Sequence, residues 1–151
     1  MNISSHFTLE EFTFSDTAAR RGIDNTPPAE VIETLRRTAA NLELVRSVLG
    51  DVAIRVTSGF RCVALNRAIG SKDTSAHVRG LAVDFVAPGF GTPAAICRKI
   101  DDSLLAFDQL IHEHTWVHIA WPAPDRMARR EVLTLMAGGK YAPGIIERAV
   151  A

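Results

Sequence analysis

Two histidines and one aspartate have metal-binding side chains and occupy unusual places in the sequence. Asp84 lies within the apolar run 81–86, and His118 interrupts a second apolar run, 116–121. Burying an unpaired carboxylate is costly, so Asp84 is expected to have a strong partner, which a metal ion would supply. His77 comes shortly before Asp84, in a polar stretch that predicts a loop. Two histidines and a carboxylate, with a fourth position left for water, are typical of a catalytic zinc site.

The residues around these side chains predict how they are positioned. Runs 81–86 and 116–121 are predicted strands, and Gly80 would let the backbone turn tightly between His77 and Asp84. Runs 107–113 and 116–121 flank only His114 and Thr115. This spacing predicts a β-hairpin, although His-Thr is a poor sequence for a primed turn.

The remaining pattern mixes helices with strands. Segment 7–25 is predicted to form short helical turns that pack on the core. A long helix is predicted between Thr26, which can cap it, and Gly50, which ends it. Further strands are predicted at 52–57 and 131–135, and further helices at 62–69 and 93–105. The sequence therefore predicts a single α+β domain over residues 1–151, with a small, mainly antiparallel sheet and packed helices.

The bulk composition excludes several classes of protein. The chain has 151 residues, 47% of them hydrophobic, and 17 basic residues balance 17 acidic ones. A net charge of zero argues against a nucleic-acid partner and against a polybasic membrane-surface protein. The start lacks the pattern of a signal peptide, and no apolar run approaches the ~20 residues of a membrane span. We therefore expect synthesis in the cytoplasm, no membrane insertion and a monomer.

The two cysteines, Cys62 and Cys97, are not arranged as a CxxC pair, which argues against a cysteine zinc site. A single disulfide between them stays open. Two buried thiols in a reducing compartment are the favoured interpretation.

Four sequence strings give the chain a family resemblance. SGFRC is followed by LN and IG, then by S-x-H-x-x-G-x-A-x-D from position 75, and finally by FDQLI-x-E and WVHI. These strings resemble the M15 peptidases, which include zinc D-Ala-D-Ala carboxypeptidases and related phage peptidoglycan endopeptidases. The opening HFTLEEFTFSDTAARRGIDNTP and the closing RREVLTL-x-x-GGKY resemble the phage-associated branch. The resemblance extends from about residue 7 to about residue 144.

This resemblance implies a fold of the D-Ala-D-Ala carboxypeptidase and hedgehog-like type, with Zn²⁺ as the cofactor. His77, Asp84 and His118 match the family's zinc ligands. Arg61 matches an arginine that assists at the reacting carbonyl. Ser75 matches the motif serine near the first ligand, and with Trp116 it is expected to contact the substrate. Asn66, in the LN string, is expected to cap a helix or brace a loop rather than to take part in the chemistry.

The sequence departs from the family at the position of the catalytic base. Many relatives have a carboxylate three residues before the last histidine, where this chain has Thr115. Pairing across the predicted hairpin offers Glu113 instead. If His114-Thr115 is a two-residue turn, Glu113 pairs with Trp116 and lies on the same face as His118. We therefore expect Glu113 to be the base, with an exposed strand-end charge as the alternative.

The predicted function is zinc-dependent hydrolysis of a peptide bond in peptidoglycan stem peptides. The resemblance implies either a D-Ala-D-Ala carboxypeptidase or an L-Ala-D-Glu endopeptidase. The protein would act on the cell wall after its release or as part of a phage particle. One alternative is a zinc-binding structural or virion module without turnover, which the missing carboxylate at position 115 favours. Another is a metal-free domain that binds cell-wall peptides.

Overall fold

A computed structural model describes residues 1–147. This part of the chain has an α+β fold with a mostly antiparallel sheet, as predicted. The helices are α1 (Leu9–Thr13), α2 (Asp16–Arg21), α3 (Ala29–Val48), α4 (Val63–Ala68) and α5 (Pro93–Asp101). The strands are β1 (Arg55–Ser58), β2 (Ala82–Val86), β3 (Gln109–His112), β4 (Val117–Ala120), β5 (Glu131–Leu135) and β6 (Tyr141–Pro143). They form one six-stranded sheet in the order β1-β2-β4-β3-β5-β6. No helix within residues 1–147 has the length and apolar character that crossing a membrane requires.

The chain divides into two compact units, of which the first contains residues 1–43 and 56–83. Many of its buried side chains come from the N-terminal segment and from α3, among them Phe7, Phe12, Leu35 and Leu42. Helix α1 begins at a capping box, in which Thr8 and Glu11 each bond to the other's backbone N–H. The predicted short helical turns of segment 7–25 are thus confirmed as α1 and α2.

The second unit contains residues 44–55 and 84–151, of which 148–151 lie outside the described part. Strand β3 pairs antiparallel with β4 and parallel with β5, and β5 pairs antiparallel with β6. Helix α5 buries one face through Ala94, Ile96, Cys97 and Ile100. Its N-terminus follows the usual pattern, because the Thr92 hydroxyl accepts from the Ala95 N–H and Pro93 occupies the first turn.

Several predicted boundaries were wrong in detail. The strand expected at 52–57 is β1, which begins at Arg55 and ends at Ser58. The helix expected at 93–105 ends at Asp101. Strand β6 was missed, because a three-residue strand that includes Pro143 has little alternating pattern.

The free state of both cysteines is confirmed. Cys62 precedes α4, where its sulfur accepts from the Leu65 N–H. Cys97 is buried, and burial raises the pKa of its thiol to about 12. A thiol with so high a pKa is a poor nucleophile and a poor metal ligand at neutral pH.

Candidate metal centre

His77 lies in a short 3-10 turn, Ala76–Arg79, and not in an irregular loop as the polar sequence predicted. The Ser75 hydroxyl caps this turn by accepting from the His77 N–H at 3.3 Å. Gly80 ends it with a φ of +73°, a left-handed conformation that favours glycine. The predicted tight turn at Gly80 is therefore confirmed. It redirects the chain into β2, and His77 is left only 3% exposed.

The ring of His77 is fixed by one backbone contact inside the first unit. Its Nδ1 lies 2.7 Å from the carbonyl oxygen of Gly59. A carbonyl can only accept, so Nδ1 must donate and therefore carries the proton. In the neutral ring the other nitrogen, Nε2, then has the lone pair that a metal ion can accept. A backbone carbonyl that holds one nitrogen of a histidine is the usual support for a metal ligand at the other.

Asp84 and His118 are the other two candidate ligands. Asp84 lies on β2 and His118 on β4, and they are 6% and 9% exposed. The Nδ1 of His118 is 2.9 Å from Oδ1 of Asp84. Two donor atoms bound to one zinc ion at ~2.0–2.1 Å are roughly 3 Å apart. The 2.9 Å contact has hydrogen-bond length, and it holds the two side chains close enough together to approach a common ion.

All three predicted ligands form one group. His77, Asp84 and His118 each offer a donor atom, and these atoms all lie within 4.8 Å of one another. Donor atoms of one tetrahedral ion with ligand bonds of ~2.0–2.2 Å are roughly 3.3–3.6 Å apart, a spacing that lies within this limit. The residues thus fit a metal ion. Such an ion would offset the cost of burying the Asp84 carboxylate among apolar neighbours.

The hairpin that carries His118 has the predicted register. Ile111 pairs with His118 and His112 with Val117, and the Glu113 N–H donates to the Trp116 carbonyl. The turn is unusual, because His114 has a φ of +66° and the Thr115 N–H donates to the Glu113 carbonyl at 2.8 Å. This is the geometry of a γ-turn, a strained conformation.

The position of Glu113 follows from this register. Residues on alternate positions of a strand share a face, so Glu113 and Ile111 lie on one face of the hairpin, and Ile111 is opposite His118. Glu113 is therefore on the face of His118, as predicted. Its Oε2 accepts a hydrogen bond from Nε1 of Trp116. The contact fixes the carboxylate at the end of the hairpin.

Arg61 is held next to the His77 turn in the first unit. Its N–H donates to the His77 carbonyl at 3.2 Å. In its side chain, Nε donates to the Ser58 hydroxyl at 3.1 Å and a terminal nitrogen donates to Oδ1 of Asn66 at 3.2 Å. Asn66 is fully buried and also donates to the Lys72 carbonyl. The bracing function expected of Asn66 is thus confirmed.

Comparison with known proteins agrees with this geometry. Residues 5–120 match the family model described as Peptidase M15. The chain belongs to the M15 peptidase family. No curated protein matches the chain closely enough to serve as a named relative. M15 peptidases are metallopeptidases, and the group formed by His77, Asp84 and His118 can hold the metal that this family uses.

Sequence reasoning missed two residues that organise this M15 centre. Gly59 supplies the acceptor for His77, a contact that no pattern in the sequence indicates. Asn25 holds the same loop, because its amide donates to the carbonyls of Thr13 and Phe60 and accepts from the Cys62 N–H. An asparagine before Thr-Pro gives no sequence signal for such long-range contacts.

Ser75 and Trp116, the two residues expected to contact substrate, both have structural contacts. Ser75 caps the His77 turn, and Trp116 bonds to Glu113. Trp116 also keeps 37% of its surface exposed. Substrate binding by either residue stays a prediction.

Proposed function

We propose that this M15 peptidase is a zinc enzyme that hydrolyses a peptide bond in peptidoglycan stem peptides. The observation that supports the proposal most is the donor group of His77, Asp84 and His118, with atoms within 4.8 Å of one another. Two imidazoles and one carboxylate are the ligand set of a catalytic zinc site with an open position. The peptidoglycan substrate is inferred from the family alone.

Zinc fits these donors better than the common hard cations. Ca²⁺ and Mg²⁺ prefer oxygen ligands, whereas imidazole nitrogen suits zinc. The bond to the Gly59 carbonyl presents the unprotonated Nε2 of His77 without a loss of protons. A bound zinc ion would lower the pKa of a coordinated water to ~7 and polarise the substrate carbonyl.

In the proposed mechanism Glu113 is the general base. Its carboxylate accepts a proton from the attacking water and passes it to the leaving amine. The Trp116 N–H orients the carboxylate, since it donates to Oε2. This arrangement replaces the carboxylate that many relatives have at the position of Thr115.

Arg61 is proposed to stabilise the negative charge that develops on the carbonyl oxygen. The guanidinium is held by Ser58 and Asn66, and the Arg61 backbone is bonded to that of His77. A donor fixed before the reaction starts requires little reorganisation in the transition state. Such a preorganised donor typically lowers a barrier by ~3–4 kcal/mol.

The substitution Glu113→Gln tests this function, because it preserves the shape of the side chain and removes its basicity. We expect the zinc-loaded variant to fold normally and to lose ~10²–10⁴ in kcat, the usual contribution of general acid–base catalysis. The assay is release of fragments from purified peptidoglycan, identified by mass. Asp125→Asn, which changes an exposed carboxylate of the same unit, should retain full activity. Cleavage by Glu113→Gln at the wild-type rate would exclude this residue as the base, and an inactive wild-type protein would exclude the function.

A further inference from the structure

A cavity of about 310 Å³ lies in the first unit, beside the loop that supports His77. Its lining includes Ser58, Phe60 and Arg61, which flank Gly59 in the sequence. Gly59 accepts from the ring of His77, and the Arg61 N–H donates to the His77 carbonyl. The cavity and the first metal ligand therefore share one short segment of backbone.

Apolar and polar side chains share the walls of this cavity, and part of the apolar surface is exposed. Phe60 and Leu65 are 4% and 2% exposed, so they belong to the core. Phe14 and Ile69 also line the cavity, but they are 66% and 45% exposed. Large exposed apolar side chains around a concave surface are typical of a binding site.

The cavity also has a charged wall. Asp16 is the one acidic residue among those that line it in the described part of the chain. Asp16 is exposed, and across residues 1–147 its carboxylate makes no hydrogen bond or ion pair. The basic residue of the lining, Arg61, directs its guanidinium to Ser58 and Asn66. A ligand with an apolar stem and a positive end would match this combination.

We infer that this cavity binds an aliphatic side chain that ends in an ammonium group, the side chain of a diamino acid residue in the substrate. The inference rests on the proposed function, because it takes the occupant to be part of that peptide. Phe14, Phe60, Leu65 and Ile69 contact the methylene stem, and Asp16 attracts the ammonium. The volume of the cavity is sufficient for one long side chain together with some of its backbone.

The test compares three synthetic stem-peptide fragments that differ at one side chain: lysine, ε-N-acetyl-lysine or norleucine. Binding to the zinc-loaded protein is measured by calorimetry, and mass spectrometry of the recovered peptides checks that they are intact. Because Asp16 is exposed, we expect the lysine fragment to bind roughly three- to fivefold more tightly than the two neutral ones. Any fragment that is cut is compared instead by its kcat/KM, and the same ratio is expected.

Variants assign this preference to the cavity. Asp16→Asn should reduce the ratio to about one, whereas Glu30→Gln, an exposed carboxylate of the same unit outside the cavity, should leave it unchanged. Phe14→Ala should weaken the binding of all three fragments alike. Leu104→Ala, a fully exposed apolar control, should leave the binding of each unchanged. Equal binding of the three fragments to the wild type, or an undiminished preference in Asp16→Asn, would overturn the inference.

The outcomes separate the inference from the proposed function. If the protein prefers the lysine fragment through Asp16 but has no peptidase activity, the cavity inference is supported and the proposed peptidase function is contradicted. If the protein has peptidase activity but no preference for the charged side chain, the cavity inference is contradicted and the proposed peptidase function is supported.

Discussion

The Nδ1 atom of His77 lies 2.7 Å from the carbonyl oxygen of Gly59, and this contact determines which nitrogen of the ring can bind a metal. The loop around Gly59 is held in turn by the N-terminal segment, because the Phe60 N–H donates to the Phe12 carbonyl at 2.7 Å. The N-terminal segment therefore supports the loop that orients His77, through the Phe12 carbonyl, although it contributes none of the three ligands.

Gly59→Ala should disrupt this support. A Cβ at Gly59 would lie 2.4 Å from the Phe12 carbonyl oxygen, which is too close, so the loop must move. We expect the free energy of unfolding to fall by ~1–3 kcal/mol, as is usual for overpacking. Zinc affinity should fall by ~10–100-fold, the usual effect of losing the partner of a metal-bound histidine.

The matched control is Gly91→Ala, whose Cβ would lie at an ordinary 3.4 Å from that of Ala95. Denaturant unfolding and competition with a zinc-binding dye measure the two effects. Wild-type zinc affinity in Gly59→Ala would show that the carbonyl contact does not orient His77.

Arg61→Lys should reduce catalysis more than zinc binding. A lysine retains the positive charge but cannot bond to Ser58 and Asn66 at the same time with the planar geometry of a guanidinium. We expect kcat/KM to fall by ~10²–10³, the cost of losing one oxyanion donor, while zinc content stays at the wild-type level. Steady-state kinetics with metal analysis measures both. The control is Arg79→Lys, at the end of the 3-10 turn that contains His77. An unchanged kcat/KM in Arg61→Lys would restrict Arg61 to a structural role.

Trp116→Phe tests the positioning of Glu113. Phenylalanine retains an aromatic ring but lacks the Nε1–H that donates to the Glu113 carboxylate. If Trp116 only orients Glu113, kcat should fall by roughly tenfold with little change in KM, and the acidic limb of the kcat profile should shift in pH. If Trp116 binds substrate instead, KM should rise and the pH profile should stay in place. The two outcomes therefore distinguish the two roles of Trp116.

The sequence was sufficient to predict the parts of this centre that depend on local pattern. Asp84 and His118 interrupt apolar strands, and the spacing around His114-Thr115 gave the register that puts Glu113 on the face of His118. Gly80 was predicted from its place between two ligands. These features follow from strand alternation and turn chemistry, which act over a few residues.

Contacts between distant segments could not be predicted in this way. The polar stretch around His77 indicated a loop, yet it forms a 3-10 turn in which His77 is buried and bonded to Gly59. Asn25 braces the segment around Gly59 by donating to the Phe60 carbonyl. The pairing of β3 with β5 in parallel also depends on the packing of segments far apart in sequence. No local pattern encodes such contacts, because each is selected by the tertiary structure as a whole.

Metal analysis of the purified protein tests the central claim most directly. After dialysis against one equivalent of Zn²⁺, we expect about one zinc ion per chain in the wild type, the stoichiometry of a single catalytic site. His77→Ala, Asp84→Ala and His118→Ala should each retain little zinc, whereas His6→Ala, which alters a histidine outside the group, should bind as the wild type does. A wild-type protein that takes up no zinc, or alanine variants that bind it at the wild-type level, would contradict the assignment of His77, Asp84 and His118 as the metal centre.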